Sequence, residues 1–152
     1  MKVNKEKKPL SAKKYLRQLE SIDTQINQDI ERLSEMKESA MSTGSIDYSK
    51  NRVQTSPVRD KLCSAVARYT AFDEEINAEI DRFIDAKEQI IKEIRGLRDV
   101  NYIQVLYKVY VQFKTVRIAA QEMKKSYRYV IQVHNDALKA FEETYKNLHY
   151  LT

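Results

Sequence analysis

The chain contains few of the residues that end helices: two glycines and two prolines among 152 residues. Glycine and proline form tight turns and break helices, so their scarcity argues against a fold of many short elements. Alanine, leucine, glutamate, lysine, arginine and glutamine, which favour helices, are abundant instead. With 42% hydrophobic and 32% charged residues, the composition predicts an all-α protein with a thin core.

The sequence also lacks the signals of export and of membrane insertion. Its single cysteine, Cys63, cannot form an internal disulfide. The apolar runs are only a few residues long, so we expect no membrane-spanning helix and no membrane partner. The basic N-terminus has no apolar segment of the kind found in secretory signals. These features predict a cytoplasmic location.

The residues that usually carry catalysis are scarce as well. His134 and His149 are the only histidines, and neither lies at metal-ligand spacing from a second ligand. Cys63 has no histidine near it in sequence, and no glycine-rich phosphate loop occurs. We therefore expect no catalytic residue, no metal and no cofactor, and a protein that is not an enzyme.

The net charge of +5 is unevenly distributed along the chain. Residues 1–14 carry a net charge of +5, residues 15–100 carry −4, and residues 101–152 carry +4. Five of the ten tyrosines also lie between Tyr102 and Tyr129. This asymmetry is typical of a basic DNA-facing module attached to a helical arm that faces protein.

Two long helices are predicted after a disordered basic tail at residues 1–10. Ser11 can cap the first helix, and apolar residues then recur at steps of three, four or seven: Tyr15, Leu19, Ile22, Ile26, Leu33, Met36 and Ala40. A loop at residues 42–57 follows, and Ser56-Pro57 is typical of a helix start. The second stripe repeats every seven residues: Leu62, Tyr69, Ile76, Phe83, Ile90 and Leu97.

A seven-residue repeat predicts left-handed pairing of helices, as in a coiled coil. The simplest partner for the second helix is the first, which gives a long antiparallel hairpin over residues 11–98. The alternative partner is a second copy of the chain, which gives a homodimer through the long helices.

A small domain with a helix-turn-helix is predicted at residues 100–148. Asn101 can cap a short helix, and residues 112–115 then form a turn. Ala120 is small enough for two helices to cross closely, and Met123, Val130 and Val133 continue the same apolar pattern. Ser126 is the expected N-cap of the second helix, which we expect to run to about Leu148.

In a helix-turn-helix, the second helix enters the DNA major groove with its N-terminal residues forward. The residues at that position are Ser126, Tyr127, Arg128, Tyr129 and Gln132. Arg128 suits guanine and Gln132 suits adenine, whereas the tyrosines suit phosphates or the thymine methyl. The expected phosphate contacts are Lys114, Arg117, Lys124 and Lys125. Lys124 stands where a glycine is common, so the turn requires Lys124 to adopt that backbone conformation or else is of a different type.

These residues resemble a known family. The pattern of Ile118-Ala119-Ala120, Met123, Ser126-Tyr127-Arg128-Tyr129-Val130, Val133-His134 and Ala137-Leu138 is similar to region 4 of sigma-70-type transcription factors. It resembles more closely the small sigma-like regulators encoded by phages and prophages of Gram-positive bacteria. The stretch Arg52-Val53-Gln54-Thr55-Ser56-Pro57, with Asp47-Tyr48 before it and Asp60 after it, also resembles a phage domain of unknown function.

The resemblance implies a regulator of phage gene expression, in some relatives an activator of late genes. It also implies that the C-terminal domain reads promoter DNA and contacts host RNA polymerase. Two hypotheses follow from the sequence. In the first, the chain is a sequence-specific transcription regulator that binds double-stranded DNA. In the second, it is a non-enzymatic helical protein-interaction module whose helix-turn-helix is structural.

Overall fold

A computed structural model describes residues 8–42 and 56–151, and every regular element within those ranges is helical. The elements are α1 (Ala12–Ser42), α2 (Ser56–Arg95), α3 (Val100–Leu106), a π-helical segment (Tyr107–Val111), α4 (Val116–Glu122) and α5 (Tyr127–Thr144). The predicted all-α class is confirmed. Residues 1–7 of the predicted disordered tail and residues 43–55 of the predicted 42–57 loop lie outside the described residues. The prediction of disorder was wrong for Leu10, whose amide donates a hydrogen bond to the Leu148 carbonyl.

The two long helices begin where the sequence predicts. The Ser11 hydroxyl accepts a hydrogen bond from the Lys14 amide at 3.4 Å, and the Ser11 carbonyl accepts from the Tyr15 amide at 2.9 Å. Helix α2 begins at Ser56. The first apolar stripe also faces inward as predicted, since Tyr15, Leu19, Ile26, Leu33 and Ala40 are all buried.

The described chain forms two compact units, and each contains part of both long helices. The unit formed by Thr24–Asp81 is a pair of antiparallel helical segments. Its apolar stripe includes Leu33 and Ile76. Arg32 lies 5.1 Å from the ring of Phe72, and Lys37 lies 5.8 Å from the ring of Tyr69. Lys37 follows Arg32 along α1, whereas its partner Tyr69 precedes Phe72 along α2. The two segments of this unit therefore run antiparallel.

Part of the seven-residue stripe in this unit remains exposed to solvent. Ile76 is 3% exposed, but Leu62 is 42% exposed and Val66 is 38% exposed. On α1, Ile30 is 45% exposed. Apolar residues therefore recur along α2 at positions that the described part of this unit does not bury.

The other unit contains the described residues of Met1–Asp23 and Arg82–Thr152. Its main core joins the start of α1, the end of α2, α3 with the π segment, and α5: Ala12, Tyr15, Leu16, Leu19, Ala86, Ile90, Ile94, Leu106, Tyr110, Val111, Ala137, Phe141 and Leu148. Tyr15 and Phe141 meet at its centre with ring centroids 5.9 Å apart. This core has residues on both sides of position 98, and the assignment of 11–98 and 100–148 to separate domains stays a prediction.

Polar groups attach the C-terminal segment to the start of α1. The Ala12 amide donates to Glu142 Oε1 at 2.8 Å, and the Leu10 amide donates to the Leu148 carbonyl at 2.8 Å. The Gln18 side chain, 5% exposed, accepts from the Leu151 amide at 2.9 Å. Its Nε2 donates to the Tyr15 carbonyl at 2.8 Å, so both ends of this buried amide are hydrogen bonded.

These contacts explain why α5 is shorter than predicted. The sequence predicts a helix to about Leu148, but α5 ends at Thr144, and Tyr145 has extended backbone angles. Asn147 then adopts a φ of 63°, in the left-handed region that asparagine tolerates better than most residues. The chain turns there, and the buried Leu148 meets Leu10 through its carbonyl.

The predicted N-cap of α3 was wrong by two residues. Asp99, not Asn101, caps α3, and its side chain accepts from the amides of Asn101 and Tyr102. Aspartate is a strong N-cap because its carboxylate accepts from free amides of the first turn. The short helix and the turn that follows it are otherwise at the predicted positions, although residues 107–111 are π-helical.

Gly96 lies where the end of α2 meets Tyr145. The Tyr145 hydroxyl donates to the Glu93 carbonyl at 2.8 Å, and a Cβ atom added at Gly96 would overlap that hydroxyl. The backbone of Gly96 has no positive φ. Glycine is therefore needed at this position for space and not for its conformational freedom.

We predict that Gly96→Ala lowers the free energy of unfolding by about 1–2 kcal/mol, because the Tyr145 hydroxyl must move and lose its acceptor. Urea unfolding followed by circular dichroism measures the loss. In a Tyr145→Phe background the hydroxyl is absent, so the same alanine should cost clearly less. Equal costs in the two backgrounds would contradict this account.

Candidate nucleic-acid interface

Helices α4 and α5 are held together by a second, smaller core. It contains Val105, Ala120, Val130 and Val133, with Met123 packed against it. Ala120 is 3% exposed and Val130 is fully buried. Thr115 caps α4 by accepting from the Ile118 amide at 3.2 Å. The predicted contacts among Ala120, Met123, Val130 and Val133 are confirmed, and a DNA-binding role for this pair of helices stays a prediction.

The turn between the two helices depends on a lysine in a left-handed conformation. Lys124 has a φ of 54°. Its amide donates to the Gln121 carbonyl at 3.2 Å, and the Lys125 amide donates to the Ala120 carbonyl at 3.1 Å. This pair of bonds is the Schellman motif, which ends helices and usually has glycine at the left-handed position. Lys124 therefore adopts the backbone conformation that the sequence required of it.

The start of α5 faces solvent. Ser126 is its N-cap, as predicted, and the hydroxyl accepts from the Tyr129 amide at 3.2 Å. Successive helical residues are about 100° apart around the axis. With Val130 and Val133 buried, Arg128 and Gln132 therefore lie on the opposite side of α5, and both are exposed. The amides of Tyr127 and Arg128 belong to the first turn, which has no acceptors within the helix.

Two basic side chains lie over the two tyrosines of this segment. Arg117 Cζ is 5.2 Å from the centroid of the Tyr127 ring, and Lys125 Nζ is 5.8 Å from that of Tyr129. Tyr127 is 48% exposed and Tyr129 is 41% exposed. The structure therefore brings four of the predicted site residues into two cation–π pairs at the surface.

Lys114 differs from the other predicted phosphate contacts. Its Nζ lies 2.6 Å from Glu122 Oε1, and Lys108 Nζ lies 2.8 Å from Glu122 Oε2. Hydrogen bonds from Lys108 and, second in size, from Lys114 lower the pKa of the Glu122 carboxyl. One carboxylate thus joins the π segment, the following loop and α4. No spacing pattern in the sequence predicts this contact, because it depends on how the π segment ends.

His134 connects α5 to the π segment. The Tyr110 hydroxyl and His134 Nε2 form a hydrogen bond of 2.8 Å, and the two rings stack with centroids 5.6 Å apart. Burial raises the pKa of Tyr110 to about 12. Burial also lowers the pKa of His134; a hydrogen bond with Asn135 opposes this shift, and the nearby cations Lys13 and Arg17 add to it. His134 is therefore a neutral packing residue at neutral pH.

Of the nine predicted site residues, eight are exposed, and only Lys114 is partly buried. Among the described residues no three histidine, cysteine, aspartate or glutamate side chains are grouped closely enough to hold a metal ion. None of the described helices combines the length and the apolar character that crossing a membrane requires. Comparison with models of protein families, with curated proteins and with solved structures finds no match to this chain.

We predict that Lys124→Gly raises the free energy of unfolding by about 0.5–1 kcal/mol, because glycine adopts positive φ without a Cβ clash. Chemical unfolding monitored by circular dichroism measures this increase in the free energy of unfolding. The matched control is Lys125→Gly, which removes the same charge at a neighbour whose φ is not positive. A stabilisation of equal size in the control would show that charge, and not backbone strain, is responsible.

The low pKa of His134 predicts a loss of stability in acid. The unfolded chain takes up a proton as the pH falls below about 6.5, whereas the folded chain resists it, so the stability is complete above that pH and declines below it. His134→Gln keeps a hydrogen-bond acceptor for Tyr110 but does not titrate. Unfolding free energies at about pH 7.5 and pH 5.5 should therefore differ less in this variant than in the wild type.

The control for this measurement is His149→Gln, which removes the other histidine at an exposed position. Carboxylates titrate in all three proteins, so only the difference between variants reports on His134. An unchanged pH dependence in His134→Gln would refute the assignment.

Proposed function

We propose that this protein is a sequence-specific, DNA-binding transcription regulator of phage or prophage genes that acts in the cytoplasm. The observation that carries the proposal is the start of α5, where Arg128 and Gln132 point away from the core on a helix whose opposite face is buried. An exposed helix start of this kind, braced by a preceding helix, is the element that reads the major groove in helix-turn-helix proteins.

In the proposed complex, the side chains at the start of α5 have separate roles. Arg128 donates two hydrogen bonds to guanine, and Gln132, about one turn later, pairs with adenine. The free amides of Tyr127 and Arg128 donate to a phosphate, which the positive end of the helix dipole also attracts. Ser126 orders this first turn by holding the Tyr129 amide.

The surrounding cations supply the attraction that does not depend on sequence. Arg117, Lys124 and Lys125 are exposed around the turn, and each would release a counterion on binding a phosphate. Lys114 would have to exchange Glu122 for a phosphate, so we rank it last among the predicted contacts. Contact with host RNA polymerase belongs to the proposal through the resemblance to sigma region 4 alone.

A second candidate function is a helical protein-interaction module. The exposed Leu62 and Val66 favour it, because they continue the apolar stripe of α2 without being buried in the described unit. Such a surface suits another helix, including that of a second copy of the chain.

We predict that Arg128→Ala and Lys124→Ala weaken DNA binding in different ways. Loss of the guanine contact should cost about 1–3 kcal/mol on the preferred site and relax one base position. Loss of Lys124 should weaken all DNA alike and reduce the salt slope by about one. Lys124→Ala keeps the Cβ atom, so the backbone of the turn is equally strained in this variant and in the wild type.

Fluorescence anisotropy with duplexes tiled across the DNA around the gene, at two salt concentrations, measures these effects. Saturable binding to one tile, weakened selectively by Arg128→Ala, supports sequence-specific regulation. Equal losses on preferred and random DNA for both variants would refute the division of roles. If no duplex binds and sedimentation depends on protein concentration, the interaction module becomes the better hypothesis.

A further inference from the structure

Tyr127 and Tyr129 each carry a cation on one face of the ring. The distances of 5.2 Å to Arg117 Cζ and 5.8 Å to Lys125 Nζ are within the range of about 6 Å in which the ring quadrupole attracts a cation. Nearly half of each tyrosine remains accessible, so neither ring is needed to fill a core. These two rings thus have contacts that a base-reading role alone does not explain.

The two pairs lie on opposite flanks of Arg128. At about 100° per residue, Tyr127 and Tyr129 project to either side of the line along which Arg128 points outward. Arg117 approaches one flank from α4, and Lys125 approaches the other from the turn before α5. A helix in the major groove has a phosphate backbone on each side of it, so the two cations occupy the flanks where phosphates would lie.

We propose that Tyr127 and Tyr129 are positioning residues, which hold Arg117 and Lys125 ready for phosphates on both sides of the groove that Arg128 reads. Stacking on a ring occupies the face of a guanidinium and leaves its N–H edge free for a phosphate. An ammonium has three donors, so those turned away from the ring remain available. A cation already held in place loses less freedom on binding, which strengthens binding to any DNA sequence. This inference rests on the proposed DNA-binding function.

The test compares leucine with phenylalanine at each tyrosine. The probes are the tiled duplex that the wild type binds best and a scrambled duplex of the same length, both measured by anisotropy. Tyr127→Leu and Tyr129→Leu should each weaken binding by about two- to fivefold on both duplexes, because the ring is lost. Tyr127→Phe and Tyr129→Phe should bind like the wild type, because the ring remains.

A double-mutant cycle separates positioning from direct contact. Arg117→Ala should cost less affinity in the Tyr127→Leu background than in the wild type, since the ring acts only through Arg117. Lys125→Ala and Tyr129→Leu form the second cycle. Circular dichroism melting of each variant should match the wild type, because neither tyrosine belongs to a buried core.

The outcomes are distinct. If phenylalanine weakens binding as much as leucine, or if the loss is confined to the preferred duplex, the tyrosines read DNA themselves and the inference is wrong. It is also wrong if the leucine variants bind like the wild type or if the cycles are additive. If the wild type binds no duplex, the proposed function fails first, and the inference fails with it.

Discussion

The burial of one face of α5 is the constraint on which the C-terminal half of the structure depends. Val130 and Val133 belong to the small core beneath α4, whereas Ala137 and Phe141 belong to the large core that also holds both long helices. Helix α5 thus contributes residues to both hydrophobic cores. Because this inner face is buried at both ends of the helix, the opposite face is exposed, and Arg128 lies on it. The exposure of Arg128 and the burial of Phe141 are two results of the same rotation about the axis.

Polar contacts then join the start of α1 to α5 and to the segment that follows α5. A buried helix terminus leaves amides or carbonyls without partners, which is costly unless other groups supply them. Here Glu142 accepts from the Ala12 amide, and Gln18 holds the Leu151 amide. The first amide of α1 therefore has its acceptor in a side chain of α5, and an amide of the segment after α5 has its acceptor in a side chain of α1. A core that joins segments so distant in sequence requires both ends of the chain to be present before it is complete.

Periodic burial made much of the fold predictable. The stripes of α1 and α2, the boundaries near Ser11 and Ser56, the Ser126 cap and the contact between Ala120 and Val130 are local patterns, and local patterns are written in the sequence. The π segment, the end of α5 at Thr144 and the role of Gly96 were not predictable in this way. The end of α5 and the role of Gly96 depend on partners distant in sequence, Leu10 for the C-terminal segment and Tyr145 for Gly96.

The candidate site follows the same division. The residues at the start of α5 are exposed as the pattern predicts, because exposure follows from helical rotation once Val130 is buried. The contacts that these residues make within the protein were not predictable from the pattern. The ion pair of Lys114 with Glu122 and the position of Arg117 over the Tyr127 ring depend on loop geometry. Helical periodicity therefore predicts which of these residues are exposed. It does not predict which of them already pair with another residue of the protein.

Lys124 shows how stability and a binding surface can conflict at one residue. The helix ending needs a positive φ, for which glycine is the best residue, and a lysine there costs about 1 kcal/mol of backbone strain. Local strain of this kind commonly lies at functional sites, because a side chain is needed where the backbone would prefer none. In return, the lysine adds a positive charge between two helices, next to Lys125 and close in sequence to Arg128. That charge is favourable for α4 itself, because it lies at the carbonyl end of the helix dipole, and in the proposed function it also attracts phosphates.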